Sequence, residues 1–157
     1  MKIRLINVGK TTDDYLKTGI ADFSSRLKHY VNFEILDIAP VKKSGTLTIE
    51  LLKQKESEKL LKSIGKADCL VLLDEKGKNY TSVEFADFIA KRQNASVREM
   101  VFVTGGAWGF ANQLYERANH KIALSKMTFS HQMVRLFFTE QLYRAFTILR
   151  GESYHNE

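Results

Sequence analysis

A chain of 157 residues with 44% hydrophobic and 27% charged residues has the size and composition of one folded domain, which argues against a disordered or fibrous protein. The net charge of +6 favours a polyanionic partner, nucleic acid first, with surplus surface lysine as the alternative. The start, M-K-I-R-L-I-N-V-G-K, has too short an apolar core for a secretory signal, and no stretch approaches the roughly 18 apolar residues of a membrane span. We therefore expect a single cytoplasmic domain over residues 1–157.

The first part of the chain predicts a strand, a helix and a second strand. Residues 3–8 and residues 33–38 are each mostly apolar and predict the two strands. Between them, either Asp13 or Asp14 can cap a helix. The apolar residues of that helix recur on one face and are Leu16, Ile20, Phe23, Leu27 and Tyr30. A basic loop over residues 39–46 follows the second strand.

The middle of the chain continues the alternation of helices and strands. A lysine-rich helix is predicted over residues 47–64, a strand over residues 69–73 and a turn over residues 74–78. The segment T-S-V-E at residues 81–84 is a capping box that opens a third helix. A fourth strand over residues 100–103 leads into the glycine-rich segment V-T-G-G-A-W-G-F.

The last third predicts a helical stretch over residues 111–118, a short fifth strand over residues 121–124 and a long helix over residues 131–150. The third and fourth strands are almost wholly apolar, which is typical of a parallel sheet covered by helices. The sequence thus predicts an α/β fold with a mostly parallel sheet flanked by helices. The C-terminal helix is apolar on nearly every side, so we expect a second subunit to cover it with two-fold symmetry.

The glycine cluster raises a choice between a tight turn and a ligand-binding loop. It directly follows the fourth strand, and ligands commonly bind at the carboxyl ends of strands in open α/β sheets. Two nucleotide motifs are absent. The fingerprint G-x-G-x-x-G does not follow the first strand, and Gly9-Lys10-Thr11 lacks the spacing of a phosphate loop because position 4 is arginine.

Several segments together resemble the RlmH family of SPOUT-class, or trefoil-knot, methyltransferases. They are I-N-V-G-K, L-L-D-E-K-G-K, T-G-G-A-W-G and residues 124–135, 140–145 and 150–155. The resemblance covers essentially the whole chain in matching order. It implies methylation of N3 of a pseudouridine in 23S ribosomal RNA, presented by the large subunit or the assembled ribosome. It also implies S-adenosylmethionine as methyl donor, a homodimer and a C-terminal trefoil knot.

The resemblance further implies three loops that hold the cofactor. Their residues are Leu73, Gly105, Leu124, Ser125, Lys126, Met127, Thr128 and Phe129. Two positions depart from the family pattern. Ser130 replaces a common proline, which bears on the rigidity of its loop. Trp108 stands where small or acidic residues are common; it could be a lid, an RNA-stacking platform, a packing residue or a dimer contact, and we favour the last two.

The polar residues near the C-terminus complete the expected site. Glu140 and Arg144 are four residues apart, so a surface ion pair is the simplest interpretation. On a mostly apolar helix, however, we expect a functional pair. The resemblance makes Tyr154 and His155 substrate contacts. We expect His155 or Glu140 to accept the N3 proton and Arg144 to stabilise the negative charge that develops.

Contacts to RNA phosphates are expected from basic residues, and the predicted RNA-binding set is Arg135, Arg150, Tyr154, Lys42 and Lys43. No spacing of histidines, cysteines and acids predicts a metal site. Two alternative functions stay open. One is a SPOUT methyltransferase that acts on another RNA, and the other is a non-catalytic RNA-binding or ribosome assembly factor.

Overall fold

The computed structural model describes residues 1–156, along which strands and helices alternate. The strands are β1 (Lys2–Val8), β2 (Asn32–Ile38), β3 (Cys69–Asn79), β4 (Glu99–Thr104) and β5 (His120–Ala123). The helices are α1 (Asp14–Leu27), α2 (Ile49–Ile64), α3 (Ser82–Asn94), α4 (Asn112–Arg117) and α5 (Met133–Leu149). Within these residues, no helix is long and apolar enough to cross a membrane.

The five strands form one parallel sheet in the order β2-β1-β4-β3-β5. Parallel neighbours need long crossover connections, which the helices supply. The apolar runs of β3 and β4 lie inside the sheet and are buried from Leu70 to Leu73 and from Met100 to Val103. The predicted α/β fold with a parallel sheet flanked by helices is therefore confirmed. The trefoil knot stays a prediction.

Helices cover both faces of the sheet. Helices α1, α3 and α5 enclose the larger core cluster on one face, and α2 and α4 enclose the second cluster on the other. In the larger cluster, the ring of Phe102 in β4 lies 4.6 Å from that of Phe138 in α5 and 6.3 Å from that of Phe85 in α3.

Helix α5 differs from the expectation that its own chain could not cover it. It packs against both α1 and α3, and Phe138, Leu142 and Ala145 are fully buried. Two helices of the same chain flank α5, and the sequence pattern of one helix does not show which others pack against it. Phe137 and Leu149 remain exposed, each at 38%. A second subunit therefore stays a prediction.

The turn predicted over residues 74–78 is wrong, because β3 continues through it to Asn79. Leu73 and Lys78 both pair with Ile122 of β5, so β3 carries four extra residues opposite one residue of its neighbour. Gly77 lies in this bulge. A Cβ at residue 77 would lie only 2.5 Å from the backbone nitrogen of Ile122, so the close approach of the two strands requires glycine.

The helix starts largely follow the predicted caps. The capping box of α3 is confirmed: Thr81 Oγ1 accepts a hydrogen bond from the backbone N–H of Glu84, and Glu84 Oε2 accepts one from the N–H of Thr81. Helix α1 begins after Asp13 as expected, although the Asp13 side chain makes no capping hydrogen bond.

Candidate active site

A cleft of about 780 Å³ opens at the carboxyl end of β4 and beside the bulge of β3. Three segments line it: residues 73–76 of β3, residues 104–110 after β4, and most of residues 124–131 after β5. Pockets for small molecules commonly have volumes of about 300–1,000 Å³. The cleft therefore has the size and the place in the sheet expected of a ligand site.

The structure brings together most of the residues predicted to hold the cofactor. The cleft-lining members of that set are Leu73, Gly105, Leu124, Ser125, Met127, Thr128 and Phe129. Lys126 belongs to the same loop but is exposed and does not line the cleft. Met127 is 77% exposed, so its side chain stands at the rim rather than against the core. Cofactor contact by these residues stays a prediction.

The glycine cluster is both a tight turn and a wall of the cleft. The N–H of Gly109 donates to the carbonyl of Gly106 at 3.2 Å, and Gly109 has a φ of +77°, which favours glycine. Gly105, Gly106 and Gly109 all line the cleft. The backbone is thus open to a ligand where a side chain would otherwise stand.

Glu56 of α2 supports this turn from behind and was not predicted from the sequence. Its side chain is 6% exposed, and a Cβ at Gly106 would lie 3.1 Å from Glu56 Oε2. Burial raises the pKa of Glu56, while the backbone N–H of Val41 and the charge of Lys59 oppose that rise. Its position four residues from the buried Leu52 and Leu60 was the available signal.

A hydrogen-bonded chain of two buried residues and one exposed residue underlies the floor of the cleft. Thr104, which lines the cleft, donates through Oγ1 to Asn7 Oδ1 at 2.7 Å, and Asn7 Nδ2 donates to Asp37 Oδ1 at 2.8 Å. Thr104 and Asn7 are 2% and 1% exposed. Because Thr104 is the last residue of β4, and Asn7 and Asp37 are the residues before the last of β1 and β2, these hydrogen bonds fix three strand ends relative to one another. The sequence analysis did not single out any of them.

Asp74 and Tyr115 form a second polar feature in the cleft wall. The Tyr115 hydroxyl donates to Asp74 Oδ2, and Asp74 Oδ1 accepts from the N–H of Lys76 at 2.8 Å. Burial, and then the hydrogen bond to Asp74, raise the pKa of Tyr115. The phenol therefore stays protonated and holds the carboxylate in place.

The predicted catalytic residues cluster between the middle of α5 and the residues that follow it. Glu140 Oε1 accepts from Arg144 Nη2 at 2.6 Å and Nε at 3.1 Å, and from the Tyr154 hydroxyl at 3.0 Å. Arg144 Nη1 lies 3.3 Å from His155 Nδ1. Burial, and then the hydrogen bond to Glu140, raise the pKa of Tyr154. We call Glu140, Arg144, Tyr154 and His155 the C-terminal cluster.

The C-terminal cluster and the cleft are separate within one chain. None of the four residues lines the cleft, whereas Val134, near the start of α5, does. An α-helix rises 1.5 Å per residue, so Glu140 lies about 9 Å farther along the axis. Within a single chain, the predicted catalytic residues therefore lie next to one another but away from the loops predicted to hold the cofactor.

The prediction that Arg135 contacts RNA phosphates is corrected by its burial. Its side chain is 1% exposed, and its guanidinium donates to the Val8 carbonyl at 2.9 Å and to Thr11 Oγ1 at 3.0 Å. It thus binds the segment after β1 to the start of α5. Its spacing from Phe138 and Leu142, three and seven residues on, indicated the buried face of the helix.

The other predicted RNA contacts have varied surroundings. Lys42 and Lys43 are exposed on the loop before α2. Arg150 is also exposed, with its guanidinium 4.3 Å from the centroid of the Tyr30 ring. Tyr154, partly buried, belongs to the C-terminal cluster. Over residues 1–156, no group of three or more His, Cys, Asp or Glu side chains could hold a metal ion.

Trp108 lies at the rim of the cleft and not in the core. Its side chain is 48% exposed, and Lys43 Nζ lies 5.7 Å from its ring centroid. The interpretation of Trp108 as a packing residue of its own chain is therefore wrong. A role as a dimer contact stays a prediction.

Comparisons with known proteins agree over the full length. A family model described as "Predicted SPOUT methyltransferase" matches residues 1–155. Proteins named "Ribosomal RNA large subunit methyltransferase H" from Cytophaga hutchinsonii, Christiangramia forsetii and Flavobacterium psychrophilum are 51%, 50% and 48% identical, with 99–100% of both chains covered. A solved structure of a probable methylase family protein from Haemophilus influenzae Rd KW20 has a TM-score of 0.59 at 10% identity, over 99% of this chain and 70% of that chain, and shows the fold alone. The chain belongs to the SPOUT methyltransferases and, within them, to the RlmH family that its sequence resembles.

Proposed function

We propose that this protein transfers the methyl group of S-adenosylmethionine to N3 of a pseudouridine in 23S ribosomal RNA in the cytoplasm. The observation that carries the proposal is the cleft, in which Leu73 at the bulge of β3, the glycine turn after β4 and the loop over residues 124–131 after β5 meet. Family membership and the name of the relatives, which specifies a ribosomal RNA methyltransferase, support it.

The residues of the cleft fit this methyl donor. Leu73, Leu124 and Phe129 offer apolar contacts for an adenine ring, and the glycine backbone lets the ring approach closely. The carboxylate of Asp74 can accept hydrogen bonds from ribose hydroxyls. When bound, the donor supplies a methyl group on a sulfonium, which is already activated for transfer. The chain therefore needs to align the acceptor and remove its proton.

The C-terminal cluster supplies the groups for that proton. Glu140 accepts hydrogen bonds from Arg144, Tyr154 and Gln141. Its proposed role is to hold the side chains of Arg144 and Tyr154 in position. Proton removal from N3 is assigned to His155. The guanidinium of Arg144 lies beside His155. It stabilises the negative charge that develops on the pseudouridine ring as N3 loses its proton.

A homodimer would unite the two parts of the site. Because the C-terminal cluster does not line the cleft of its own chain, we propose that a second copy places its cluster over that cleft. The exposed Phe137, whose ring lies 4.8 Å from that of Phe129 in the cleft wall, supports an interface near this point.

Mixed dimers test the shared site. Gly105→Trp fills the cleft, and His155→Ala removes the proposed base, so each variant alone is expected to be inactive. Refolding the two together gives statistically half mixed dimers with one intact site each, and about a quarter of the wild-type activity returns. If each site is built from one chain, mixing restores nothing. Gly105→Ala is the control, since its Cβ would lie 3.4 Å from Phe110, an ordinary contact.

Calorimetry and mass spectrometry test the reaction. We expect the protein to bind S-adenosylmethionine and to add one methyl group to ribosomes that contain the target pseudouridine. Absence of binding at millimolar cofactor would contradict the proposal. Methylation of another RNA instead would support the first alternative. A non-catalytic assembly factor would keep its function in the Gly105→Trp variant, whereas a methyltransferase would lose it.

A further inference from the structure

We propose that Trp108 is a platform on which an unpaired RNA base stacks beside the cleft, and that lysines of α2 bind the phosphates of the same strand. This inference rests on the proposed function and identifies the face by which the RNA reaches the cleft. It assigns a role to a face of α2 that neither the cleft nor the C-terminal cluster uses.

The position of Trp108 suits stacking. The indole is 48% exposed at the rim of the cleft, and the turn that carries it is closed by the hydrogen bond between Gly109 and Gly106. Trp108 belongs to neither core cluster of the described residues. A large aromatic ring on a fixed turn loses little freedom when a base stacks on it, and such stacking does not depend on sequence.

The lysines lie in a groove of about 510 Å³ between α2 and the loop before it. Lys55, Lys59 and Lys62 are four and seven residues apart, so they share one face of the helix, and Lys42 faces them from the loop. Glu58 is the acidic residue of this lining. Four ammonium groups around one groove favour a chain of phosphates.

Positive charge continues from this groove to the cleft. Lys43, next to Lys42, places its Nζ 5.7 Å from the Trp108 ring, and Lys53 of α2 lines the cleft itself. A basic track that ends on an exposed aromatic ring is the combination that single-stranded nucleic acids recognise. The net charge of +6 agrees with this reading. The strand thus passes along α2, over Trp108 and into the cleft.

The intrinsic fluorescence of the protein reports directly on stacking, because the chain has one tryptophan. We expect an oligouridylate of about 12 nucleotides, within the site size of single-strand-binding proteins, to quench the emission. Inorganic polyphosphate, which carries the charge without bases, should compete with the oligouridylate without quenching. Unquenched emission, or emission that shifts to that of a buried indole as the protein dimerises, would overturn the proposal in favour of a dimer contact.

Kinetics with variants test the same surface on ribosomes. Trp108→Ala should raise the KM for ribosomes about tenfold, while Trp108→Phe stays within about threefold of wild type. Replacing Lys42, Lys55 and Lys62 with glutamine should lower the slope of log affinity against log salt by about 2. The matched control replaces Lys17 in α1, Lys28 directly after α1 and Lys91 in α3, all exposed on the opposite side of the sheet, and should leave that slope within about 0.5 of wild type.

The outcomes separate this inference from the proposed function. If wild-type protein transfers methyl groups but Trp108→Ala leaves the KM for ribosomes unchanged, the stacking platform is wrong and the proposed function stands. If the two sets of lysine substitutions lower the slope of log affinity against log salt equally, the proposed binding of phosphates in the groove is wrong. If oligouridylate quenches the tryptophan emission of the wild-type protein but the protein transfers no methyl group, the proposed RNA surface is supported and the proposed function is wrong.

Discussion

A methyl group added at residue 77 would force β3 and β5 apart. In Gly77→Ala, the new Cβ would lie 2.5 Å from the nitrogen of Ile122 and 2.6 Å from the carbonyl carbons of Ile122 and Lys121. These are backbone atoms, so rotation of a side chain cannot relieve the contact. Overpacking commonly costs about 1–3 kcal/mol, and we place this substitution at about 3 kcal/mol. Because β5 leads into the loop over residues 124–131, cofactor affinity should fall as well.

Urea unfolding at fixed protein concentration measures this cost. With a denaturant slope of about 2 kcal/mol/M, the midpoint of Gly77→Ala should fall by about 1.5 M. Gly45→Ala is the matched control, since its Cβ would meet no atom within 4 Å and its φ lies outside the left-handed region. The control should unfold within about 0.5 kcal/mol of wild type. Equal midpoints for the two variants would refute the account of the bulge.

Three further changes address other parts of the molecule. Arg135→Ala removes two hydrogen bonds of a buried guanidinium and should lower the free energy of unfolding by about 3 kcal/mol, and an unchanged urea midpoint would contradict this. Arg144→Lys keeps the positive charge but loses the contact of two guanidinium nitrogens with Glu140. In single-turnover assays, methyl transfer should slow about tenfold or more while the affinity for cofactor is retained. An unaltered rate would exclude a role for this geometry. Burial, and then the charge of Arg92, lower the pKa of His120 from 6.5. Since the folded protein holds this proton less tightly than the unfolded chain, the stability that His120 contributes above pH 6.5 is lost as the pH falls through its folded pKa. His120→Asn should therefore lose less stability on acidification than wild type, and parallel pH profiles would count against this.

The buried strands could be predicted closely from the sequence, whereas the bulge could not. The strand predicted over residues 100–103 lies within β4, because residues buried on both faces form an unbroken apolar run. The strand predicted over residues 3–8 lies within β1, where only Arg4 and Asn7 interrupt the apolar residues. The segment D-E-K-G-K has the composition of a turn. Its assignment to β3 depends on pairing with β5, which lies far along the chain and leaves no local pattern.

Some residues of the candidate site could likewise be predicted from the sequence, and others could not. Leu73 and Gly105 could be placed near the ligand edge of the sheet because Leu73 is the last residue of one apolar run and Gly105 comes shortly after another. Asn7 and Thr104 could not, since each gains its role from a strand that is adjacent only in the folded sheet. The C-terminal cluster is separated from the cleft because its residues lie farther along α5 than Val134. The resemblance to a family names these residues but does not show this distance.

Helix α5 also determines when the cleft can exist. It is the last helix of the described residues, and it packs against α1 and α3, fills the core beside Phe102, and begins at the edge of the cleft. A nascent chain that stops before residue 133 lacks Phe138 and has no closed core on that face of the sheet. We therefore expect a chain truncated before residue 133 to bind no S-adenosylmethionine, so that a binding measurement also reports whether α5 has packed against α1 and α3.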